Sequence, residues 1–362
     1  MNRFERIVRL TRIISTSTVF VFPTIAVAQP GPPQIFTLRV DATSLVNGPG
    51  IAEDWSDSFK YLQDALAVAT ADGDVQNNHY VIRVAKGTYK PDQAEVAPMP
   101  TNPRDATFSV TRNNLTVRGG YAGLGAPEPN ANDTIIYPSI LSGDLDADDI
   151  PVDLQTGELI FQNYAENSYN VLTTTGVNQS VIIEGLTITG GNDDELEPDL
   201  NDEVGLLRAN MGGGMVNFDH ANPIVRRCTF IHNSCHDSGG GMANLDHSNP
   251  VIILCDFIEN RAVRLSGGGM ECRQESVPVI LNCRFIGNTA PHVGGGLRIR
   301  DAYLSQTPFQ IVNCLFQDNY AQDAGGGIRI GFNAYAKISN CTIVNNVAGA
   351  DTQNVLQGGG GI

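Results

Sequence analysis

From residue 212 onward, apolar and polar positions repeat in a fixed register, with successive units starting between 27 and 34 residues apart. Each unit opens on a glycine triplet followed by one apolar residue: GGGM at 212–215, 239–242 and 267–270, GGGL at 294–297, GGGI at 325–328, and GGGGI at the end. A second block follows in each: VRRCTFIHN, IILCDFIEN, ILNCRFIGN, IVNCLFQDN and ISNCTIVNN. Aligned on the cysteine, these give columns. Val225, Ile252, Ile280, Ile311 and Ile338 stand three residues before it, and Phe230, Phe257, Phe285, Phe316 and Ile343 two after. The cysteines are Cys228, Cys255, Cys283, Cys314 and Cys341; Asn233, Asn260, Asn288, Asn319 and Asn346 close each block. Asn282, Asn313 and Asn340 form a shorter polar column beside the cysteines.

Within a block the apolar residues lie two apart, the spacing of a strand rather than a helix. One short strand cannot bury its face alone, so units of this length must stack. Successive coils then lie about 4.8 Å apart, and each column becomes a line of like side chains. The expectation is an all-β chain, a right-handed parallel β-helix. Ile, Phe and Cys fill its interior, and each asparagine amide bonds its copy in the next coil. A glycine triplet can also cradle phosphate, but that device needs a preceding strand and a following helix. Here a strand follows and the triplet recurs in every coil. It reads as a tight corner with positive φ and room for backbones to approach.

Upstream the pattern is less regular. Val181–Asn192 matches the strand block, and earlier coils are expected over 79–91, 106–123, 138–149 and 167–176. In DSFKYLQDALAVATADGD (57–74), Phe59, Leu62, Leu66 and Ala69 fall on one helical face, with Asp57 or Ser58 placed to cap its start. A short N-terminal helix of this kind can plug the end of a solenoid. Residues 193–209 form an acidic insertion, expected as a loop. The first 28 residues carry Arg3, Arg6, Arg9 and Arg12, an apolar stretch and the ending Ala26-Val27-Ala28. That order reads as an export signal cleaved between Ala28 and Gln29. The chain therefore divides into a signal peptide (1–28), an N-terminal extension (29–56), a capping-helix region (57–74) and a β-helix (75–362). The regular coils of the last span 212–362.

Composition narrows the function. The formal net charge is −16, so no basic face is expected for nucleic acid. No segment after residue 28 approaches the roughly 20 apolar residues of a membrane span, which leaves an exported chain, extracellular or on the outer cell surface. Acidity is also compatible with Ca²⁺, which prefers oxygen ligands. Seven cysteines in an exported chain suggest disulfides. Five in one interior column, however, point in parallel, and that fits the disulfide dihedral poorly. They read as buried free thiols. Cys235 and Cys272 lie outside the column, where a surface thiol is open to either.

The segments Trp55–Ala67, Val84–Pro91, Val117–Gly123, Ile140–Asp144 and Gly185–Asn192 resemble a family of secreted bacterial proteins. Those proteins carry right-handed β-helix repeats of the pectin-lyase-like superfamily. The GGG[MLI] and F-x-x-N blocks are similar to the repeats of polymorphic outer membrane proteins, whose translocating barrel this sequence lacks. The ending at Ile362, just as a coil begins, reads as a possible truncation of a longer surface protein. The resemblance implies the fold across nearly everything after Ala28, but no single activity, since the superfamily holds lyases, hydrolases, epimerases, adhesins and bare repeat proteins.

Candidate chemistry is therefore read from the residues. Asp219-His220 and Asp246-His247 recur in F-D-H-A-N-P and L-D-H-S-N-P, with Asp301 at the matching turn two coils later. They can form a cation or sugar site, or be turns whose Asp caps its own backbone. Arg298, Arg300 and Arg329 follow glycine corners, and alternation points Arg298 and Arg329 outward, a cationic stripe for an acidic glycan. The resemblance implies that polysaccharide lyases of this fold hold Ca²⁺ on clustered aspartates and use an arginine or lysine base. Hydrolases need two or three grouped carboxylates, and the runs 144–149 and 193–202 supply them without fixed spacing. No catalytic residue can be named. The leading expectation is a non-catalytic exported β-helix that binds polysaccharide or a cell-envelope partner. A Ca²⁺-dependent polysaccharide lyase or glycoside hydrolase is the alternative, and the stalk of a larger adhesin is a third.

Overall fold

Chain order alternates short strands with corners, and each strand pairs with its copy one coil away. The computed structural model describes residues 33–48, 54–153, 159–194, 210–302, 308–331, 333–349 and 360–362; the stretch expected to be an export signal, with its expected Ala28–Gln29 cleavage site, and the part of the acidic insertion beyond Asp194 lie outside them. Four parallel sheets of nine, eight, seven and six strands run side by side along a solenoid. One regular coil shows the plan: Met215–Phe218 in the seven-stranded sheet, Ile224–Arg226 in the nine-stranded, Thr229–Ile231 in the eight-stranded and Ser234–Cys235 in the six-stranded. The chain is an all-β parallel β-helix.

The columns coincide with the rungs. Phe230, Phe257, Phe285 and Phe316 stack with ring centroids 4.8, 4.7 and 4.6 Å apart and planes within 6°. Asn233, Asn260, Asn288 and Asn319 each donate Nδ2 to the next asparagine's Oδ1, at 3.0, 3.0, 2.9 and 2.8 Å. The five column cysteines are free, and each Sγ contacts the carbonyl two residues back, at 3.3–3.4 Å. Cys235 and Cys272 are buried as well, so neither is a surface thiol. Cys272 takes the rung after Asn217 and Asn244, and its sulfur accepts Asn244 Nδ2 at 3.5 Å, ending that amide file inside the core.

Glycine acts at the corners in two ways. The first of each triplet has positive φ, for example 76° at Gly239 and 64° at Gly267. The third needs space: a Cβ on Gly269 would lie 2.5 Å from the Gly296 carbonyl oxygen on the next coil.

The N-terminal end differs from its sequence reading in two respects. Parallel pairing begins with Gln34–Val40, which pairs with Asn78–Ala85, so the solenoid starts well before residue 75. Helix α1 spans only Leu62–Ala71; it starts at Tyr61 with no side-chain cap, and Asp57 and Ser58 lie outside it. Phe59 instead bridges to Val40. Leu62, Leu66 and Ala69 are buried in the main core, so the helix does lie on its apolar face against the first coils.

Candidate functional site

The seven-stranded sheet turns alternate residues outward, and register turns sequence neighbours into a grid. Val216, Ala243, Glu271, Arg298 and Arg329 form one outward file. Two residues further along, Arg273 and Arg300 stand on the rungs of Glu271 and Arg298. Four guanidinium groups thus occupy three successive rungs. Glu271 among them is fully buried. Arg300 Nε donates to Glu271 Oε1 at 2.9 Å, and Arg300 Nη1 lies 3.1 Å from Asp301 Oδ2. Among the described residues, Glu271 Oε2 and Arg298 Nε have no hydrogen-bond partner. Burial raises the Glu271 carboxyl against the pull of Arg298 and Arg300, lowers Arg298, and lowers Arg273 to about 10. For Glu271, Arg273 and Arg298, desolvation outweighs attraction. Arg298 and Arg329 do face outward, but both are half-buried rather than freely solvated. Glu271 and Arg273 are the members that sequence reasoning passed over. Their signal is the third repeat, which reads MECR where its predecessors read MVNF and MANL.

The turn that follows this sheet carries the Asp-His pairs. His220 and His247 stack with centroids 4.9 Å apart and planes at 3°. His220 Nδ1 lies 3.3 Å from Asp219 Oδ1, and His247 Nδ1 lies 3.0 Å from Asp246 Oδ1. All four residues have positive φ, between 49° and 59°. Gln274 and Asp301 take the same conformation on the next two coils, at φ 55° each, so the backbone belongs to the turn and not to histidine.

A second constellation lies among the solenoid's earlier coils. Carboxylate oxygens of Asp144, Asp148, Asp149 and Glu166 lie within 4.8 Å of one another. Burial is the main force raising Asp149 to about 8; Asn167, donating to its Oδ2 at 2.8 Å, opposes this, and Asp144, Glu166 and Asp148 add to it. Glu166 is raised as well, again chiefly by burial. A hairpin pairing Ile150–Asp153 with Leu159–Gln162 springs from this cluster, and Phe161 stacks on Tyr164 at 4.6 Å. The oxygen-only donor set suits a hard cation such as Ca²⁺. The run 144–149 supplies three of these acids; Glu166 is brought in by folding alone. Of the run 193–202, Asp193 and Asp194 are described. Asp193 Oδ2 accepts the Met211 amide at 2.8 Å and Asp194 pairs with Arg104 at 2.5 Å, so both serve the scaffold.

Comparison with known proteins gives three findings. A family model described as a right-handed β-helix region matches residues 152–354. No curated protein sequence matches the chain. The crystal structure of Escherichia coli YbhC aligns over 86% of this chain and 68% of that one, at 10% identity and a TM-score of 0.34.

Proposed function

The chain belongs to the right-handed β-helix family, and on that scaffold we propose an exported, non-catalytic binding protein whose ligand is an acidic polysaccharide of the cell envelope or its surroundings. One observation carries this reading: Arg273, Arg298, Arg300 and Arg329 gather on three rungs of one sheet in a chain of net charge −16. A guanidinium offers paired donors suited to carboxylate or sulfate, and parallel rungs repeat that offer about every 4.8 Å, a step comparable to one sugar ring. Glu271 and Asp301 hold Arg300 in place. The test is titration of purified protein with polygalacturonate, a sulfated glycan and neutral dextran. Saturable binding of the anionic polymers, lost in the double variant Arg298→Ala/Arg329→Ala, is the expected result. Equal binding of dextran, or no binding of any of the three, overturns the reading.

A second reading, hydrolase or lyase, is favoured by Asp149, a carboxyl raised to about 8 beside three other acids. Such a group can hold a proton for a leaving oxygen near neutral pH. New reducing ends, or unsaturated-sugar absorbance with Ca²⁺ added, would establish it, and silence with and without Ca²⁺ would remove it.

A further inference from the structure

We propose that Asp219, His220 and Asp246 bind one divalent first-row metal ion, of the Zn²⁺ type, across two successive coils. One carboxylate oxygen of each aspartate and one ring nitrogen of His220 lie within 4.8 Å of one another. Asp219 and His220 are exposed and Asp246 is half-buried, so small torsional adjustments, chiefly of the first two, bring three such atoms to the roughly 2.0–2.2 Å that zinc takes with nitrogen and oxygen ligands. Two carboxylates balance the ion's charge. The imidazole selects a borderline metal over Ca²⁺ or Mg²⁺, which prefer oxygen alone.

The alternative role of these aspartates, capping their own turns, is not the one they play. Other groups fix the turns: His220 N donates to the Asp246 carbonyl at 2.9 Å, Ala221 N to Ser248 Oγ at 3.0 Å, and Asn222 Nδ2 to the His220 carbonyl at 2.6 Å. Among the described residues, the side-chain hydrogen bonds of Asp219 and Asp246 go to their neighbouring histidines. That leaves both carboxylates available to a ligand, while the backbone beneath them is held in register without their help. His247 acts through Asp246: its Nδ1 lies 3.0 Å from Asp246 Oδ1, which restrains that carboxylate beside the stacked imidazoles. It is a positioning residue of the kind that stands behind metal ligands. The following coil has Gln274-Glu275 at this turn, so the site is confined to the two Asp-His coils.

The experiment uses the whole purified protein, stripped with a chelator and exchanged into metal-free buffer. Calorimetric titration with Zn²⁺ should give one saturable site per chain. His220→Ala and Asp246→Asn should each weaken it at least tenfold, and His247→Ala about tenfold. Co²⁺ in place of Zn²⁺ should give a visible absorption band that His220→Ala abolishes, which reports nitrogen ligation directly. Thermal unfolding of metal-free His220→Ala, Asp246→Asn and His247→Ala should stay close to wild type, since the two histidines are exposed, Asp246 is half-buried, and other groups fix the turns. Asp149→Asn should leave Zn²⁺ binding intact. The proposal is overturned if wild type shows no saturable Zn²⁺ binding, if His220→Ala binds Zn²⁺ like wild type, or if the site is lost in Asp149→Asn instead.

Discussion

Asn288 satisfies its neighbours on both sides. Its Oδ1 accepts the Asn260 amide N–H and Nδ2, both at 3.0 Å, and its Nδ2 donates to the Phe257 carbonyl at 2.8 Å and Asn319 Oδ1 at 2.9 Å. It is fully buried, so water cannot replace it. Leaving a buried polar group unpaired costs about 1–3 kcal/mol, and Asn288→Ala strands at least two. A loss of about 3 kcal/mol in urea unfolding is expected, and a loss under 1 kcal/mol would show that the ladder is not a stabilising unit. Asp149 gives the opposite kind of prediction. Its folded-state pKa is about 8, above the unfolded value of about 3.9. The folded state therefore holds the proton more tightly, and the associated stability is present in full below about pH 4 and lost as pH rises toward 8. Asp149→Asn should flatten that part of the pH–stability curve and raise Tm near neutrality; an unchanged slope would exclude Asp149 as its source.

At the scale of the element, the sharpest constraint is close approach. Gly269 meets the Gly296 carbonyl oxygen, the Asn288 amide carbon and a Phe285 ring edge where a Cβ would go, at 2.5, 3.1 and 3.1 Å. Two of those neighbours belong to stacked ladders that cannot move singly. Gly269→Ala should therefore destabilise by about 1–3 kcal/mol, as overpacking does, with hydrogen exchange accelerating first in Met270–Cys272 and Leu297–Ile299. Protection unchanged in those strands would mean that the corner can yield. The same stacking explains what was legible beforehand. Where Phe, Cys and Asn recur at fixed offsets, strand, register and inward face all follow from alternation, because each column has one neighbour above and one below. At the N-terminal end no repeat constrains the reading. Gln34–Val40 lacks the glycine corner and asparagine of the later coils, and helix α1 begins later than a Ser or Asp cap would place it, because Phe59 is drawn into a bridge with Val40. Glu271 and Arg273 were hidden for a related reason. They sit in outward files, where each coil is free to differ, and only register shows that they meet Arg298 and Arg300.

At the scale of the whole molecule, an acidic chain carrying a local cluster of arginines faces its ligand with two opposing fields. A polyanion approaching the protein is repelled by its acidic surplus, −16 over the full sequence and more negative without the arginine-bearing first 28 residues, and attracted by a patch that spans three rungs, about 10 Å. Salt decides between them, because the Debye length is about 30 Å at 0.01 M, about 8 Å at 0.15 M and about 3 Å at 1 M. At the lowest of these concentrations the distant acids act in full and oppose encounter. Near 0.15 M they are largely screened, while contacts within the patch, shielded by its partial burial, persist. At 1 M those contacts weaken too. Binding of polygalacturonate should therefore pass through a maximum near physiological ionic strength, whereas a uniformly basic surface would show only a monotonic decline with salt. Arg298→Ala/Arg329→Ala should remove saturable binding, and the maximum with it, at every salt concentration. A monotonic decline in wild type would mean that the molecule's overall charge does not reach the site, and a salt-independent affinity would mean that the arginines are not what the polymer meets.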